Sequence, residues 1–331
     1  MRAVLVTDRT GPSGVRVHDV PEPELQPGHV LVEVKAAGVT FPDLLLTHGR
    51  YQEVPDLPFV LGGEFAGVVR KASYGSGHKV GDRVVCSSYR GFAELVSVPS
   101  GRVMPLPAEV PYEIGACLPA NYLTMVFALL HRGRLQRGER VLVHGASGGV
   151  GVAAIQLALA LGASQVIAVT SNLPSALDPR VHVVPAESFA AHTDALTVGA
   201  GVDVVVDPVG GERLARSLAC MSAGGRALVI GFAAGTIPTI SVDAALERNI
   251  DLVGVGWGSY LEGNPDELHR VWDQLMGLMR EDRTIRPVID RILPLEGAEE
   301  ALRMLEARQA RGRVVLRPSP AATRSHGIAD S

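Results

Sequence analysis

The period of the apolar positions changes near residue 120. Before that point, short β-rich runs alternate with turns that contain Gly and Pro. This pattern is typical of strands in a mostly antiparallel, barrel-like domain. The strands predicted in this part are residues 3–7, 15–17, 30–36, 65–71, 83–87 and 92–98.

Further along, wholly apolar strands alternate with helices, after a helical run over 114–131 that Pro119 interrupts. Such an alternation is typical of a doubly wound parallel sheet, whose helices cover both faces. The predicted strands are 141–143, 166–170, 202–206, 227–230 and 313–316, and the predicted helices are 150–161, 212–220, 266–279 and 295–307. The fold class is therefore α/β.

Composition narrows the function. The 331 residues are enough for two domains, and 47% hydrophobic with 20% charged residues is an ordinary globular balance. A net charge of −4 argues against the binding of nucleic acid. No apolar stretch reaches the roughly 20 residues that a membrane-spanning helix needs. Asp8 and Arg9 come too early for a signal peptide, so we expect a cytoplasmic protein. Cys86, Cys117 and Cys220 are isolated, unlike a disulfide framework or zinc motif.

A Gly-rich turn joins the predicted strand 141–143 to the apolar helix 150–161. Glycines in this context let backbone N–H groups at a helix N-terminus approach a pyrophosphate. Because the turn lies within an alternating series of strands and helices, it predicts a dinucleotide site. The cofactor-binding residues expected here are Ala146, Ser147, Gly148, Gly149 and Val150.

The end of the next strand bears on the choice between NAD and NADP. An NAD site usually offers Asp or Glu to the ribose 2′-hydroxyl about 20 residues after the glycines. Ser171 and Asn172 stand there instead, and no acid occurs before Asp178. Neutral hydrogen-bonding side chains accept a 2′-phosphate better than a carboxylate does, and Arg180 is the nearest cation. The sequence therefore favours NADPH over NADH.

Several short motifs follow one another along residues 1–317. They are 37–43, 58–69, 81–84, 91–94, 122–124, the Gly-rich turn, 207–211 and 312–316. In this order they resemble the medium-chain dehydrogenase/reductase superfamily, specifically its zinc-independent quinone oxidoreductase (zeta-crystallin-like) branch. The resemblance implies a GroES-like, β-barrel-type catalytic domain, 1–122 with 260–317, and a Rossmann cofactor domain, 123–259. We expect residues 318–331 to form a flexible tail.

The resemblance places a Cys and a His of the zinc-dependent relatives at two positions of this chain. Thr40 and Gly63 stand there, and neither side chain can replace a thiolate or an imidazole as a zinc ligand. We therefore expect no catalytic zinc and no other bound metal.

The resemblance also implies roles for individual residues. Thr40 would be the polar group beside the nicotinamide, and Tyr51 would be either a proton donor or a wall of the pocket. The implied cofactor contacts are Thr124, Gly231, Phe232, Ala233, Val255, Trp257 and Arg313. Asp207 is either near a ligand or the cap of the next turn. The Lys that serves the 2′-phosphate in relatives is missing from the shortened segment 172–180.

The leading function is NADPH-dependent reduction of a quinone or another conjugated carbonyl, such as an enone. Residues 41–45 with 49–51 also resemble enoyl-thioester reductase modules, which keeps that reaction open. Quinone reductases of this family typically carry Asn where Thr40 stands and often Tyr where Leu45 stands. Loss of these two residues and of the Lys favours a third function, an NADPH-binding protein with little turnover. The apolar strand 251–255, at a predicted sheet edge, predicts a homodimer.

Overall fold

The computed structural model describes residues 1–170 and 178–318. The chain forms two compact units: the first takes residues 1–120 together with the chain from 289 onward, and the second takes 121–288. No helix in these described ranges is both long and apolar enough to cross a membrane.

The first unit begins as a series of strands separated by glycine turns, as the sequence predicts. Its elements up to residue 120 are β1 (Arg2–Val6), β2 (Val15–Asp19), β3 (His29–Gly38), α1 (Phe41–Thr47), β4 (Phe59–Val60), β5 (Phe65–Ala72), β6 (Arg83–Cys86), β7 (Leu95–Pro99), β8 (Val103–Pro105) and α2 (Tyr112–Gly115). β1 pairs antiparallel with β2 and β4, and β3 pairs antiparallel with β5 and β7.

The second unit contains the alternating strands and helices. Its elements are α3 (Thr124–Val126), β9 (Arg140–His144), α4 (Gly149–Ala160), β10 (Gln165–Val169), β11 (Val181–Val184), α5 (Phe189–Thr197), β12 (Val202–Asp207), α6 (Glu212–Leu218), β13 (Met221–Val229), α7 (Val242–Arg248), β14 (Asp251–Gly254), α8 (Trp257–Gly263) and α9 (Glu267–Glu281). The strands form a six-stranded sheet in the order β11-β10-β9-β12-β13-β14, with every neighbouring pair parallel.

This strand order brings the carboxyl ends of all six strands to one edge. The order reverses direction between β9 and β12, and ligands of open parallel sheets bind at the carboxyl edge near such a point. One face of the sheet is covered by α5 and α6 over an apolar cluster that includes Leu142, Ile167, Val205 and Phe189. The predicted α/β fold with a doubly wound sheet is confirmed.

The last part of the chain returns to the first unit as β15 (Ile289–Pro294), α10 (Ala298–Glu306) and β16 (Arg313–Arg317). β16 pairs antiparallel with β3, which completes a seven-stranded sheet whose main path is β15-β16-β3-β5-β6-β8. The apolar side of this sheet and of α10 encloses one core with β1. The expected GroES-like domain made from both chain ends is therefore present.

Two details differ from the sequence-based expectation. The return to the first unit occurs at residue 289 rather than at 260, because α9 buries Leu268, Val271 and Leu275 within the second unit and packs against α3. The helical run predicted over 114–131 is divided into α2, α3 and two π-helical segments, Pro119–Leu123 and Phe127–Arg132. Pro119 has no N–H group and therefore interrupts a regular α-helix.

Candidate active site

The glycine turn joins the carboxyl end of β9 to the first residue of α4. Gly148 is the N-cap of α4 in an extended conformation, and no side chain caps the helix. The N–H of Gly148 donates to the Gly145 carbonyl at 2.9 Å, which closes the turn. Because the next N–H groups have no partner within a helix, the helix N-terminus can bind an anion such as a pyrophosphate.

The glycines of this turn serve different purposes. A Cβ on Gly151 would lie 2.3 Å from the Gly145 carbonyl oxygen, so Gly151 permits the turn and the helix to pack closely. A Cβ on Gly148 would meet that same oxygen only at 3.3 Å, and Gly148 is exposed. Ser147 Oγ accepts a hydrogen bond from Thr170 Oγ1 at 3.1 Å, which ties the turn to the end of β10. Gly151 therefore supports the fold, whereas Gly148 leaves the surface of the turn open to a ligand.

His144, the last residue of β9, is a buried polar group that the sequence did not single out. Its Nε2 lies 2.6 Å from Ser217 Oγ, and the ring meets Phe189 edge-on with centroids 4.8 Å apart. Since Ser217 donates its own proton to the Arg213 carbonyl at 2.8 Å, His144 Nε2 carries the hydrogen. Burial, and then the charges of Arg213 and Arg216, lower the pKa of His144 to about 3. His144 is therefore a neutral support beneath the turn.

The residues expected to contact the nicotinamide follow β13 and β14 at the same carboxyl edge. Val229 pairs with Gly254, so Gly231, Phe232 and Ala233 begin beside Val255. The N–H of Val255 donates to the Val229 carbonyl at 2.9 Å, which fixes the two strand ends together. Phe232 is 39% exposed, as a residue at a ligand-facing edge can be. The structure thus gathers these predicted residues on the edge that carries the glycine turn.

Trp257 and Thr124 lie in the helical part of the second unit. Trp257 is buried and packs against Phe127 and Tyr260, with ring centroids 5.1 and 6.5 Å away. Its Nε1 is buried without a hydrogen-bond partner. Trp257 is therefore chiefly part of an aromatic cluster of its own unit. Thr124 begins α3, which packs on α4 and α9.

Asp207, at the carboxyl end of β12, caps the turn that follows. Its Oδ1 accepts the N–H groups of Val209 at 2.7 Å and Gly210 at 2.9 Å. Oδ2 is buried without a partner. Burial raises the pKa of this carboxyl against those two hydrogen bonds. Of the two roles left open by the sequence, the structure shows the cap.

The expected role of Arg180 at the 2′-phosphate is corrected. Arg180 precedes β11, and its carbonyl pairs with the Val166 N–H near the start of β10, so it lies at the amino edge of the sheet. Its guanidinium binds Asp178 and the carbonyls of Leu159 and Ala163 at the end of α4. Strands five residues long place the two edges about 17 Å apart. Ser171 and Asn172 lie outside the described residues.

The expected role of Thr40 as the polar group beside the nicotinamide is also corrected. It is the N-cap of α1, 4% exposed, and its hydroxyl donates to Asp43 Oδ2 at 2.6 Å. The N–H of Thr40 donates to the same oxygen at 2.8 Å, which completes a capping box. A hydroxyl that is buried and occupied by a carboxylate in its own turn is not a group offered to a nicotinamide. Thr40 is a structural cap.

Arg313, expected at the pyrophosphate, is instead buried in the first unit. Its guanidinium forms an ion pair with Glu64, whose Oε2 also accepts the Ala120 N–H at 2.7 Å. Burial disfavours the charge of Arg313, but Glu64 first, and then Cys117 and Asp43, outweigh this effect and raise the pKa of Arg313. Burial raises the pKa of Glu64 to about 7, with Arg313 opposing the shift. The guanidinium neutralises buried acids and is not exposed to a ligand.

Tyr51 is half-buried in the first unit and packs on its core. Burial first, and then the neighbouring Tyr89 and Asp43, raise the pKa of its phenol above the ordinary value. A phenol in these surroundings keeps its proton at neutral pH. The structure is therefore consistent with a proton donor and equally with a pocket wall.

Short sequence patterns mark the buried acids around Arg313, although they were not among the predicted site residues. Thr40 and Asp43 have the spacing of a capping box, with Pro42 in the first turn. Glu64 is a lone acid directly before the buried strand β5, and such an acid usually has a buried partner. The partner itself, 249 residues away, could be found only in the folded chain.

The positions of the zinc ligands in the zinc-dependent relatives carry no donor here. Thr40 is occupied by Asp43, and a Cβ on Gly63 would meet nothing within 4 Å. Across residues 1–170 and 178–318, no group of three or more His, Cys, Asp or Glu side chains is arranged to hold a metal ion.

Two family models match the chain. Residues 26–108 match the alcohol dehydrogenase GroES-like domain, and residues 180–316 match a model described as zinc-binding dehydrogenase. Together with the fold and the glycine turn, these matches define an oxidoreductase of the medium-chain dehydrogenase/reductase superfamily.

Relatives place the chain within that superfamily. Quinone oxidoreductase of Rattus norvegicus is 33% identical over 313 residues, which are 91% of this chain and 92% of the relative. Mycobacterial Rv1454c, solved in complex with NADPH, is 31% identical with a TM-score of 0.86, over 96% of this chain and 100% of that one. JamJ enoyl reductase is 25% identical with a TM-score of 0.84, over 96% and 99%. The chain belongs to the quinone oxidoreductase branch.

Proposed function

We propose that this protein uses NADPH to reduce a quinone or another conjugated carbonyl, and that it does so without zinc. The observation that carries this proposal is the glycine turn, where the N-terminus of α4 has no side-chain cap and lies at the carboxyl edge of the sheet. The NADPH complex of mycobacterial Rv1454c and the rat quinone oxidoreductase support the choice of cofactor and acceptor.

The residues present fit a dinucleotide. Gly149 and Val150 would hold the pyrophosphate through backbone N–H groups, and the exposed Gly148, whose own N–H closes the turn, leaves room beside them. Residues 231–233 and Val255 would border the nicotinamide at the ends of β13 and β14. NADPH, when bound, supplies a hydride. The protein supplies orientation and the exclusion of water.

The chain also needs a proton for the reduced acceptor. We propose Tyr51 as the donor, because this half-buried phenol carries its proton at neutral pH and the resemblance to the family places it near the cofactor. An acceptor that is already conjugated has an electrophilic position without a Lewis acid, so the reaction proceeds without the two ligands that Thr40 and Gly63 replace.

A direct assay tests this function. The purified protein is expected to oxidise NADPH steadily with 9,10-phenanthrenequinone, and EDTA is expected to leave the rate unchanged. Tyr51→Phe tests the proton donor. It is expected to lower kcat by about 10²-fold or more, which is the usual contribution of general acid catalysis. Stoichiometric zinc by elemental analysis, or a loss with EDTA that zinc restores, would contradict the zinc-independent mechanism.

Enoyl-thioester reduction is the second candidate, favoured by the similarity to JamJ enoyl reductase. Turnover of a crotonyl thioester in preference to the quinone would select it. NADPH binding without turnover of either acceptor would select a binding protein.

We further propose that β14 pairs with a second copy. β14 is the edge strand of the six-stranded sheet, and Leu252 on it is 42% exposed. An apolar edge strand favours pairing across a two-fold axis. Light scattering at micromolar concentration is expected to give the mass of a homodimer, and a monomer would exclude this pairing.

A further inference from the structure

The 2′-phosphate of NADPH carries about two negative charges and favours a cation beside the end of β10. Arg180 lies at the opposite edge of the sheet, bound to Asp178. Residues 171–177, which follow β10, contain no Lys or Arg, so a cation at this place would come from another element at the carboxyl edge. The assignment of a cation to the 2′-phosphate rests on the NADPH-dependent function proposed above.

Helix α6 runs from the carboxyl edge, where β12 ends, back towards the start of β13. Its inward face is fixed by Ser217, which bonds His144 at the end of β9. Arg216, beside Ser217, turns towards β11: its guanidinium donates to the Glu187 carbonyl at 2.9 Å and lies 5.0 Å from the centre of the Phe189 ring. The arginine-bearing side of α6 thus points across the sheet towards β10 and β11.

Arg213 precedes Arg216 by three residues and so shares this side of the helix. At 1.5 Å per residue it lies about 4.5 Å nearer the carboxyl edge. The Ser217 hydroxyl lies 2.8 Å from the Arg213 carbonyl oxygen and 2.6 Å from His144 Nε2, which places Arg213 beside the end of β9. The charge of Arg213 also acts on Asp207, the last residue of β12.

The guanidinium of Arg213 is also available. Arg216 is engaged by a carbonyl and a ring, and Arg180 by a carboxylate. Within residues 1–170 and 178–318, the Arg213 guanidinium makes no hydrogen bond or ion pair, and the side chain is partly exposed. Its backbone carbonyl alone is used, as the acceptor from Ser217.

We propose that Arg213 binds the 2′-phosphate of NADPH and determines the preference for NADPH over NADH. In this arrangement the cation belongs to α6 rather than to the segment that follows β10. The group that distinguishes the two cofactors is an anion, and Arg213, beside the ends of β9 and β12, carries a partly exposed guanidinium on the side of α6 that faces β10.

Calorimetric titration of the full-length protein with NADPH and with NADH tests the assignment. Arg213→Ala is expected to weaken NADPH by about 10- to 100-fold, the range for loss of charged hydrogen bonds, and to change NADH by less than about twofold. Arg180→Ala, which removes the same charge at the amino edge, is the matched control and is expected to leave both affinities unchanged. Thermal unfolding of each variant verifies the fold.

The outcomes separate the two proposals. If the wild type binds NADPH and Arg213→Ala binds it equally well, or loses NADH in the same proportion, Arg213 does not read the 2′-phosphate and only this inference fails. If the wild type binds neither cofactor, the proposed function fails and this inference with it. A loss of NADPH affinity in Arg180→Ala of the same size would show a general charge effect and would also overturn the assignment.

Discussion

Replacement of Gly149 by valine is expected to abolish cofactor binding while the protein remains folded. Gly149 is the first residue of α4, where the helix N-terminus would meet the pyrophosphate, and its neighbour Gly148 is exposed. A side chain at this position pushes the phosphates away from their N–H donors. Each charge-assisted hydrogen bond contributes about 1.5–3 kcal/mol, so the loss of two costs about 3–6 kcal/mol of binding free energy. Calorimetry with NADPH measures it.

Gly151→Val is the matched control. Its Cβ would lie 2.3 Å from the Gly145 carbonyl oxygen and 2.6 Å from Ala146 Cα, which are backbone atoms that cannot move aside. This variant is expected to lose about 3 kcal/mol or more of unfolding free energy, whereas Gly149→Val stays within about 1 kcal/mol of the wild type in urea unfolding. A well-folded Gly149→Val that binds NADPH normally would show that the turn is structural and that the dinucleotide site lies elsewhere.

Arg313→Leu is expected to lower the free energy of unfolding by about 3–5 kcal/mol, because it leaves buried acids without their cation. Glu64 and Arg313 have side-chain exposures of only 1% and 9%, and Asp43 is buried beside them. Gly38 permits this approach, since a Cβ there would lie 2.6 Å from Glu64 Oε1 and 2.9 Å from an Arg313 nitrogen. Denaturant unfolding followed by circular dichroism measures the change.

A double variant distinguishes the ion pair from simple packing. Arg313→Leu with Glu64→Leu removes both charges, and replacement of a whole buried pair is often neutral or stabilising, so most of the loss is expected to be recovered. Arg317→Leu, which breaks the more exposed pair with Glu113, is expected to cost less than about 1 kcal/mol. If the losses of unfolding free energy in Arg313→Leu and in Glu64→Leu, each measured alone, add up in the double variant, then Glu64 and Arg313 are not coupled in the fold.

Much of the architecture could be predicted because its signals are local. The change of apolar period near residue 120 located the parallel sheet, although β11, α5, α7 and α8 were not predicted. The strands and helices of the second unit that were predicted begin within a few residues of their predicted starts in most cases. β13 is the exception, because it begins at Met221 and its glycine-rich first half gave no apolar signal. The π-helical segments were missed because Pro119 marks an interruption without specifying what replaces the helix.

The site was predicted less completely. Residues tied to the strand ends, such as those of the glycine turn and 231–233, lie on one edge because parallel strands align their carboxyl ends. Side chains that must reach across the fold were assigned incorrectly. Arg180 is only ten residues beyond Thr170, yet Thr170 lies at the carboxyl edge of the sheet and Arg180 at the amino edge.

The sequence by itself determined the fold class and the position of the Gly-rich turn, since both depend on residue type, short spacing or period. The tertiary structure decided where the long charged side chains end. Arg313 forms an ion pair with Glu64, which lies 249 residues earlier in the chain. The Arg213 guanidinium, by contrast, has no hydrogen-bond partner within the described residues and lies near the carboxyl edge, where a phosphate would bind. The physical reason is that a buried charge requires a partner, and that partner is set by packing between distant segments.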